Sequence, residues 1–334
     1  MVNIYITVDT ETSLGGAWTS SNLRPVAPEL SVLGRIGPDL YGVPLIMDIL
    51  EEYDLRATFF TEVLARDVVG PSELAEAYAS IKTRGHDPQL HLHPVFHFYH
   101  LVRQGVMCRE ELPPRMDLIG GLPLEMQLDL LQRGCSIFRD IFGAIPTAFR
   151  AGCYGASMPT LEALEKTGIF YDSSFNAAYL DSTCLMGPRK ATNMPWRSGK
   201  VWEIPVTTFE TGAWRPRGLK PLEVSAVSLM ELQQVLTQAE KLGQHTVIVM
   251  LHSFSFLKRK DAQFRGLRPD RLVIRRFRKF CAFLREQRSR FRVSTFSEIE
   301  RLLVDPMELP LPRMGIMIPG FRKIVQAVNR VHWV

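Results

Sequence analysis

Short apolar runs alternate with amphipathic stretches along most of this chain. Residues 2–8 (VNIYITV) form an apolar run of strand length, the pattern of a strand buried on both faces. Residues 43–52 (VPLIMDILEE) predict a helix with Pro44 in its first turn, and residues 55–61 (LRATFFT) a second strand. A helix over 74–83 stops before Gly85. From Gln89 the alternation Gln-Leu-His-Leu-His puts Gln89, His91 and His93 on one face of a third strand, which Pro94 ends. Residues 95–123 read as an irregular excursion. Leu128, Leu131, Cys135, Phe138 and Phe142 then mark one stripe of a helix over 124–142, with Gly143 placed to end it.

Beyond it the rhythm continues. Strands are predicted at 148–155, ending in glycines, and at 169–175, 201–207 and 245–253, and helices at 159–167, 229–242 and 272–287; a last short strand and helix fall within 291–303. Such a β–α rhythm predicts a parallel sheet, in which residues at the C-terminal ends of the strands share one mouth.

Composition narrows the class. A chain of 334 residues that is 46% hydrophobic can bury one barrel-sized core or two smaller ones. Its aromatic content excludes a disordered protein, and no repeat of solenoid period is present. Five cysteines (108, 135, 153, 184, 281), odd in number and without CxxC, predict reduced thiols and a cytoplasmic protein. The N-terminus lacks the basic and apolar regions of a signal peptide, and no run reaches transmembrane length.

The net charge of +5 is uneven, with Lys and Arg concentrated between Lys258 and Arg292 and again in the tail. Aromatic interleaving there is poor, so a solvated helix face is expected and nucleic acid is not. The pattern assigns 1–304 to the barrel and 305–334 to a basic, amphipathic extension. A helix over 321–331 with Phe321, Ile324, Val325 and Val328 on one side would pack on the barrel. The alternative is peripheral contact with the inner face of an anionic membrane.

Four of the eight histidines fall between Gly85 and His97. Two imidazoles two residues apart at a strand end suit one metal ion, and His97 could reach the same point from the following segment. Imidazole favours zinc, with cobalt, nickel or iron as alternatives. The first strand delivers Asp9 and Glu11 at its C-terminal end, where two acids are costly unless paired, hydrogen-bonded or metal-bound. A turn-and-cap reading explains one of them. Arg150, inside a strand, needs an acid partner, for which Asp9 is the natural candidate. Asp172 and His252 also end apolar runs. Trp196, Trp202 or Trp214 could line a sugar site, or simply pack.

The ordered set TVDTE, GHDPQLHLHPVFH, FRAG, YDSSF and MLHS resembles the polysaccharide deacetylase (NodB-homology) family of carbohydrate esterases over roughly residues 4–303. The resemblance implies a distorted (β/α)7 TIM-like barrel, a single domain with loop insertions. It also implies metal-dependent hydrolysis of an N-acetyl group from an amino sugar of a glycan, polysaccharide or lipid-linked saccharide. By this resemblance Asp9 is the general base, Arg150 orients it, His252 is the general acid and Asp172 supports His252. Glu11 takes the place of the family's metal-binding aspartate, and the backbone near Tyr154 faces the substrate. The family's histidine spacing, HxxxH, is met by His93 and His97, whereas the strand geometry favours His91 and His93. A non-catalytic glycan- or partner-binding barrel, or a hydrolase of another amide such as a formamide, are the alternatives.

Overall fold

The computed structural model describes residues 1–180, 182–187, 190–211, 218–299 and 309–314. The tail helix over 321–331, its membrane contact and Trp214 lie outside the described residues. In chain order the elements that build the site are β1 (Val2–Thr10), α1 (Val43–Glu52), β2 (Thr58–Glu62), α2 (Pro71–Thr83), β3 (Asp87–Leu92), α3 (Pro94–Arg103), α4 (Leu124–Phe142), β4 (Ala148–Ala151) and α5 (Met158–Thr167). They continue with β5 (Tyr171–Asp172), β6 (Trp196–Ser198), β7 (Val201–Glu203), α6 (Leu229–Lys241), β8 (Thr246–His252), α7 (Arg271–Glu286) and β9 (Phe291–Val293).

The strands form one curled sheet in the order β8-β1-β2-β3-β4-β5-β7-β6, with β9 also paired to β1. Every pairing is parallel except the β6–β7 hairpin at the end. The sheet curls into a half-barrel, and a short segment bridges the remaining gap. Leu222 N–H donates to Thr207 O, Met250 N–H to Leu222 O and Val224 N–H to Met250 O. This is the distorted barrel that the family resemblance implies, built on the parallel sheet that the β–α rhythm predicts.

Strand alternation divides the side chains into two cores. Ile4, Ile6, Val8, Phe59, Leu90, Phe149, Val247 and Val249 face outward and pack with the helices. Tyr5, Phe60, Ala148, Ile248 and Met250 face inward and join Phe296 in a smaller core that fills the barrel. The next inward positions toward the C-terminal ends are Asp9, His91, Arg150 and His252, so the apolar plug forms the floor of a polar mouth. Helix ends follow their local chemistry. Gly143 closes α4 in the left-handed region, at φ 63°, and Ser228 with Glu231 makes a capping box at the start of α6.

The 95–123 expectation is corrected by α3. Pro94 ends the strand and also occupies the first turn of a helix, where its missing N–H costs nothing. Phe96, Phe98 and Tyr99 are buried there, while His97 and His100 interrupt the apolar pattern and obscure the period.

Asp172 and Glu203 are register partners on β5 and β7, and both are fully buried. Each keeps one carboxyl oxygen, Asp172 Oδ2 and Glu203 Oε2, without an ordinary donor. Burial pushes both carboxyls upward, Glu203 furthest because Asp172 faces it, so the pair holds a proton. A raised folded-state value makes this contribution complete in acid, and it is lost as pH rises through that value. Glu203→Gln supplies a permanent donor instead. As pH rises above the ordinary carboxylate range, the melting temperature of the wild type should therefore fall relative to that of Glu203→Gln. Melting temperatures that keep a constant difference over that rise would show that no shared proton is present.

Candidate active site

The parallel register sets the site. Asp9 on β1 lies beside His252 on β8, and His91 on β3 lies between Glu62 on β2 and Arg150 on β4. Arg150 has no exposed surface, and each of its nitrogens has a partner. Nη1 donates to Asp9 Oδ1 at 2.6 Å and to Thr7 Oγ1 at 3.0 Å. Nε donates to Ser173 O and Nη2 to Ser173 Oγ. Its guanidinium also covers the Phe60 ring, 4.3 Å from the ring centre. A guanidinium so held fixes Asp9 and leaves it little freedom to turn.

Glu11, His91 and His93 converge opposite this pair. Glu11 Oε2 lies 3.2 Å from His91 Nε2 and 2.7 Å from His93 Nε2. The other ring nitrogens point away, His91 Nδ1 to Arg150 O at 2.7 Å and His93 Nδ1 to Asp117 Oδ2 at 2.8 Å. Thus one carboxylate and two Nε2 atoms share a centre, and outer partners hold both rings in the orientation that metal-bound histidines adopt. This donor set fits a divalent metal. Burial alone would raise Glu11, but the two imidazoles reverse the effect and hold its carboxyl well below the usual range. Burial opposes charge on His93, yet Asp117 and Glu11 raise it well above the ordinary imidazole value. Both shifts show a cluster that attracts positive charge.

Two neighbours complete the cradle. Glu62, buried, accepts N–H groups from Leu64, Ala65 and, at 3.4 Å, His93; burial pushes it up to about 8. At Gly152 any side chain would strike the His93 ring, because a Cβ would stand 2.5 Å from Nδ1.

The structure separates two sequence expectations from this centre. His97 lies on α3 with its buried Nδ1 unpartnered, in the electrostatic reach of Arg133, Asp67 and His100, and it does not join Glu11. The helix that Pro94 starts carries His97 onto another face, so the HxxxH match is not met in space. Asp172 does not reach His252 either, since it faces away from the barrel interior toward Glu203. The acid beside His252 is Glu223, whose Oε1 is 3.8 Å from His252 Nδ1. Glu223 arrives on the segment that bridges the barrel gap. Neither Glu223 nor Asp117 was marked by the sequence, because each comes from a connection without period or motif.

Tyr154 stands near Asp9 and Glu223, where burial pushes its phenol well above the ordinary value. Its hydroxyl donates to Met250 Sδ at 3.1 Å, and its ring stacks on Tyr179 at 5.3 Å. Cys153 and Tyr154 both adopt positive φ, 53° and 59°. Two consecutive non-glycine residues in that region mark a strained turn at the mouth. All five cysteines are free.

With this geometry known, comparison with solved structures is informative. A protein described as a polysaccharide deacetylase from Mycobacterium smegmatis superposes over 92% of this chain and 94% of its own, at 18% identity and a TM-score of 0.51. The chain has the polysaccharide deacetylase fold. A 4-alpha-glucanotransferase from Thermococcus litoralis matches over 94% of this chain, at 11% identity and a TM-score of 0.50; this chain spans 42% of it. A mutant form of a peptidoglycan deacetylase from Bacillus subtilis covers 100% of this chain and 98% of its own at 12% identity, with a TM-score of 0.40. No family model and no curated protein matches the sequence. The deacetylase and the glucanotransferase share the fold at nearly equal similarity, so the reaction must be read from the side chains.

If Asp117 orients His93, Asp117→Ala should weaken zinc binding by about 10–100-fold, while His97→Ala should leave it unaltered. Calorimetric titration of both variants checks this. Loss of zinc binding in His97→Ala would restore the HxxxH ligand pair.

Proposed function

We propose that this chain is a metal-dependent hydrolase that removes an N-acetyl group from an amino sugar of a glycan. One juxtaposition carries the reading. A buried, arginine-fixed aspartate and a histidine on adjacent strands face a Glu–His–His metal cradle across one mouth. A polysaccharide deacetylase fold supports it.

Glu11, His91 and His93 would hold the metal, with zinc the first choice for this ligand set. Bound there, a divalent ion would polarise the acetamide carbonyl and lower the pKa of a bound water. Asp9 accepts the proton of the attacking water. Arg150 holds its carboxylate aimed, at 2.6 Å. His252, beside Asp9 in register, delivers a proton to the departing amine nitrogen, leaving acetate and a free amino sugar. Glu223 stands 3.8 Å from His252, in the place expected of Asp172 from the family resemblance. The Tyr154–Tyr179 stack forms an apolar wall on which a sugar ring can lie.

The reading fixes what each variant should do. Asp9→Asn and His252→Ala should lower kcat for acetate release by about 10²–10⁴-fold; His252→Ala should melt close to the wild type, and Asp9→Asn lower, because the buried Arg150 charge loses its counter-charge. Asparagine keeps an acceptor for the Arg150 donors but not the charge that balances them, so the chain should still fold while losing stability. Chelation should abolish turnover and zinc should restore it. Wild-type rates in either variant would refute the assignment of base and acid. Release of formate from an N-formyl sugar, without acetate from the N-acetyl one, would point to the deformylase alternative.

A further inference from the structure

Several arginines of the described surface are matched to acids, among them Arg84 to Asp48 and Glu51, Arg278 to Glu52, Arg285 to Asp54 and Arg290 to Glu240. Such exposed pairs each contribute under about 1 kcal/mol, but they neutralise the charge locally. Arg259 has no such partner, and no carboxylate or carbonyl accepts a hydrogen bond from it among the described residues. It lies in the loop that leaves His252 at the end of β8. Two aromatic rings hold it instead. Its guanidinium carbon is 5.1 Å from the centre of Phe254 and 4.4 Å from that of Phe264. Cation–π contact of this kind fixes a guanidinium by its faces and leaves its N–H edges free.

The position of this group matters more than its packing. Phe254 stacks on His252, with ring centres 5.2 Å apart and planes at 25°. Arg259 therefore stands one aromatic ring from the group assigned to protonate the leaving amine, on the side of the mouth where the charge of Glu11 reaches it. The loop that carries it is pinned rather than loose. The Asp261 carboxylate accepts N–H groups from Gln263 and Arg265, and Phe264 N–H donates to Asp261 O. The Gln263 amide donates to Gly15 O at 2.6 Å and to Arg24 O at 2.8 Å, tying this loop to the one after β1. Gly15 must be glycine for that tie, since a Cβ would lie 2.2 Å from the Gln263 nitrogen. Phe264 itself holds φ 58°, a region uncommon for a phenylalanine, and this brings its ring against the guanidinium. A fork of donors that is fixed before binding and has no internal acceptor is a receptor for an oxyanion.

We propose that Arg259 makes this site selective for glycans that carry a carboxylate or a phosphate next to the N-acetylated sugar. The inference rests on the deacetylase reading and names the substrate class within it. An oxyanion bound at Arg259 would sit beside the Phe254–His252 stack, so recognition of the acidic group positions the neighbouring acetamide at the Asp9 mouth. Arg259 is a specificity residue in this account. It takes no part in proton transfer.

Three probes test it: an N-acetylglucosamine oligomer, an oligomer alternating N-acetylglucosamine with glucuronate, and the first oligomer bearing a 6-phosphate. Binding by calorimetry and kcat/KM for acetate release are compared for wild type, Arg259→Met and Arg259→Lys. A charge-assisted hydrogen bond of the usual strength gives the wild type a preference of at least about tenfold for an acidic probe, expressed in KM. Whichever probe shows it identifies the oxyanion as carboxylate or phosphate. Arg259→Met, which keeps the stem packed on the rings, should bring the acidic-to-neutral ratio near one, and Arg259→Lys should fall between.

No preference in the wild type, or an unchanged ratio in Arg259→Met, overturns the proposal. So does an equal loss on all three probes, because a residue that merely props Phe254 against His252 would weaken every substrate alike. An acidic preference in binding without any acetate release would refute the deacetylase reading and leave the role of Arg259 standing.

Discussion

A guanidinium with no exposed surface must have its charge and its donors answered inside the protein. Arg150 is such a group, and the answers come from Thr7 and Asp9 of β1, across the barrel, and from Ser173 just after the adjacent β5. Removing one partner of a buried ion pair typically costs about 3–5 kcal/mol, a large share of the stability of a single domain. The surface pairs around α7 carry no comparable constraint. The Arg150–Asp9 contact thus helps fix β1, β4 and β5 relative to one another, and the same contact aims a carboxylate into the mouth. Fold and chemistry depend on one interaction here.

Alternation of side chains along parallel strands does the rest. Residues an even number of positions beyond an apolar plug residue stand above it on the same face. Tyr5 and Asp9, Ala148 and Arg150, Ile248 and His252 all follow that rule. The rule also explains which acid fails to join. Asp172 is one residue out of phase with Ser173, so it faces Glu203 on the other side of the sheet and has to keep a proton there. Its expected place beside His252 is filled by Glu223, from the segment whose backbone bonds to Met250 complete the barrel. Closure of the barrel and the placing of an acid beside His252 are consequently one event in the architecture.

Much of this was legible beforehand because strand and helix periods are local. The helix over 43–52, the helix over 124–142 and the apolar strand ending in His252 stand nearly where the hydrophobic pattern put them. The pairing of Asp9 with Arg150 was also readable, since a strand-borne arginine and a strand-end acid each need what the other offers. The helix at 94–103 was hidden by two histidines set among its aromatics, and by a proline that serves as well at a helix start as at a strand end.

The sequence by itself determined the alternation of elements, the polar ends of the strands and the chemical identity of the groups that could meet there. It could not choose between His93 with His91 and His93 with His97, because spacing along the chain does not say whether a proline-initiated helix turns a ring toward a centre or away from it. It held no sign of Asp117 or Glu223, which reach their histidines from connections with no period to read. Nor did it mark Arg259, whose significance lies in two aromatic faces and in its place beside the His252 stack. Local sequence sets which way a side chain points from its own backbone. Only the tertiary structure decides which groups then share a space, because each of those contacts depends on the closure of the whole sheet.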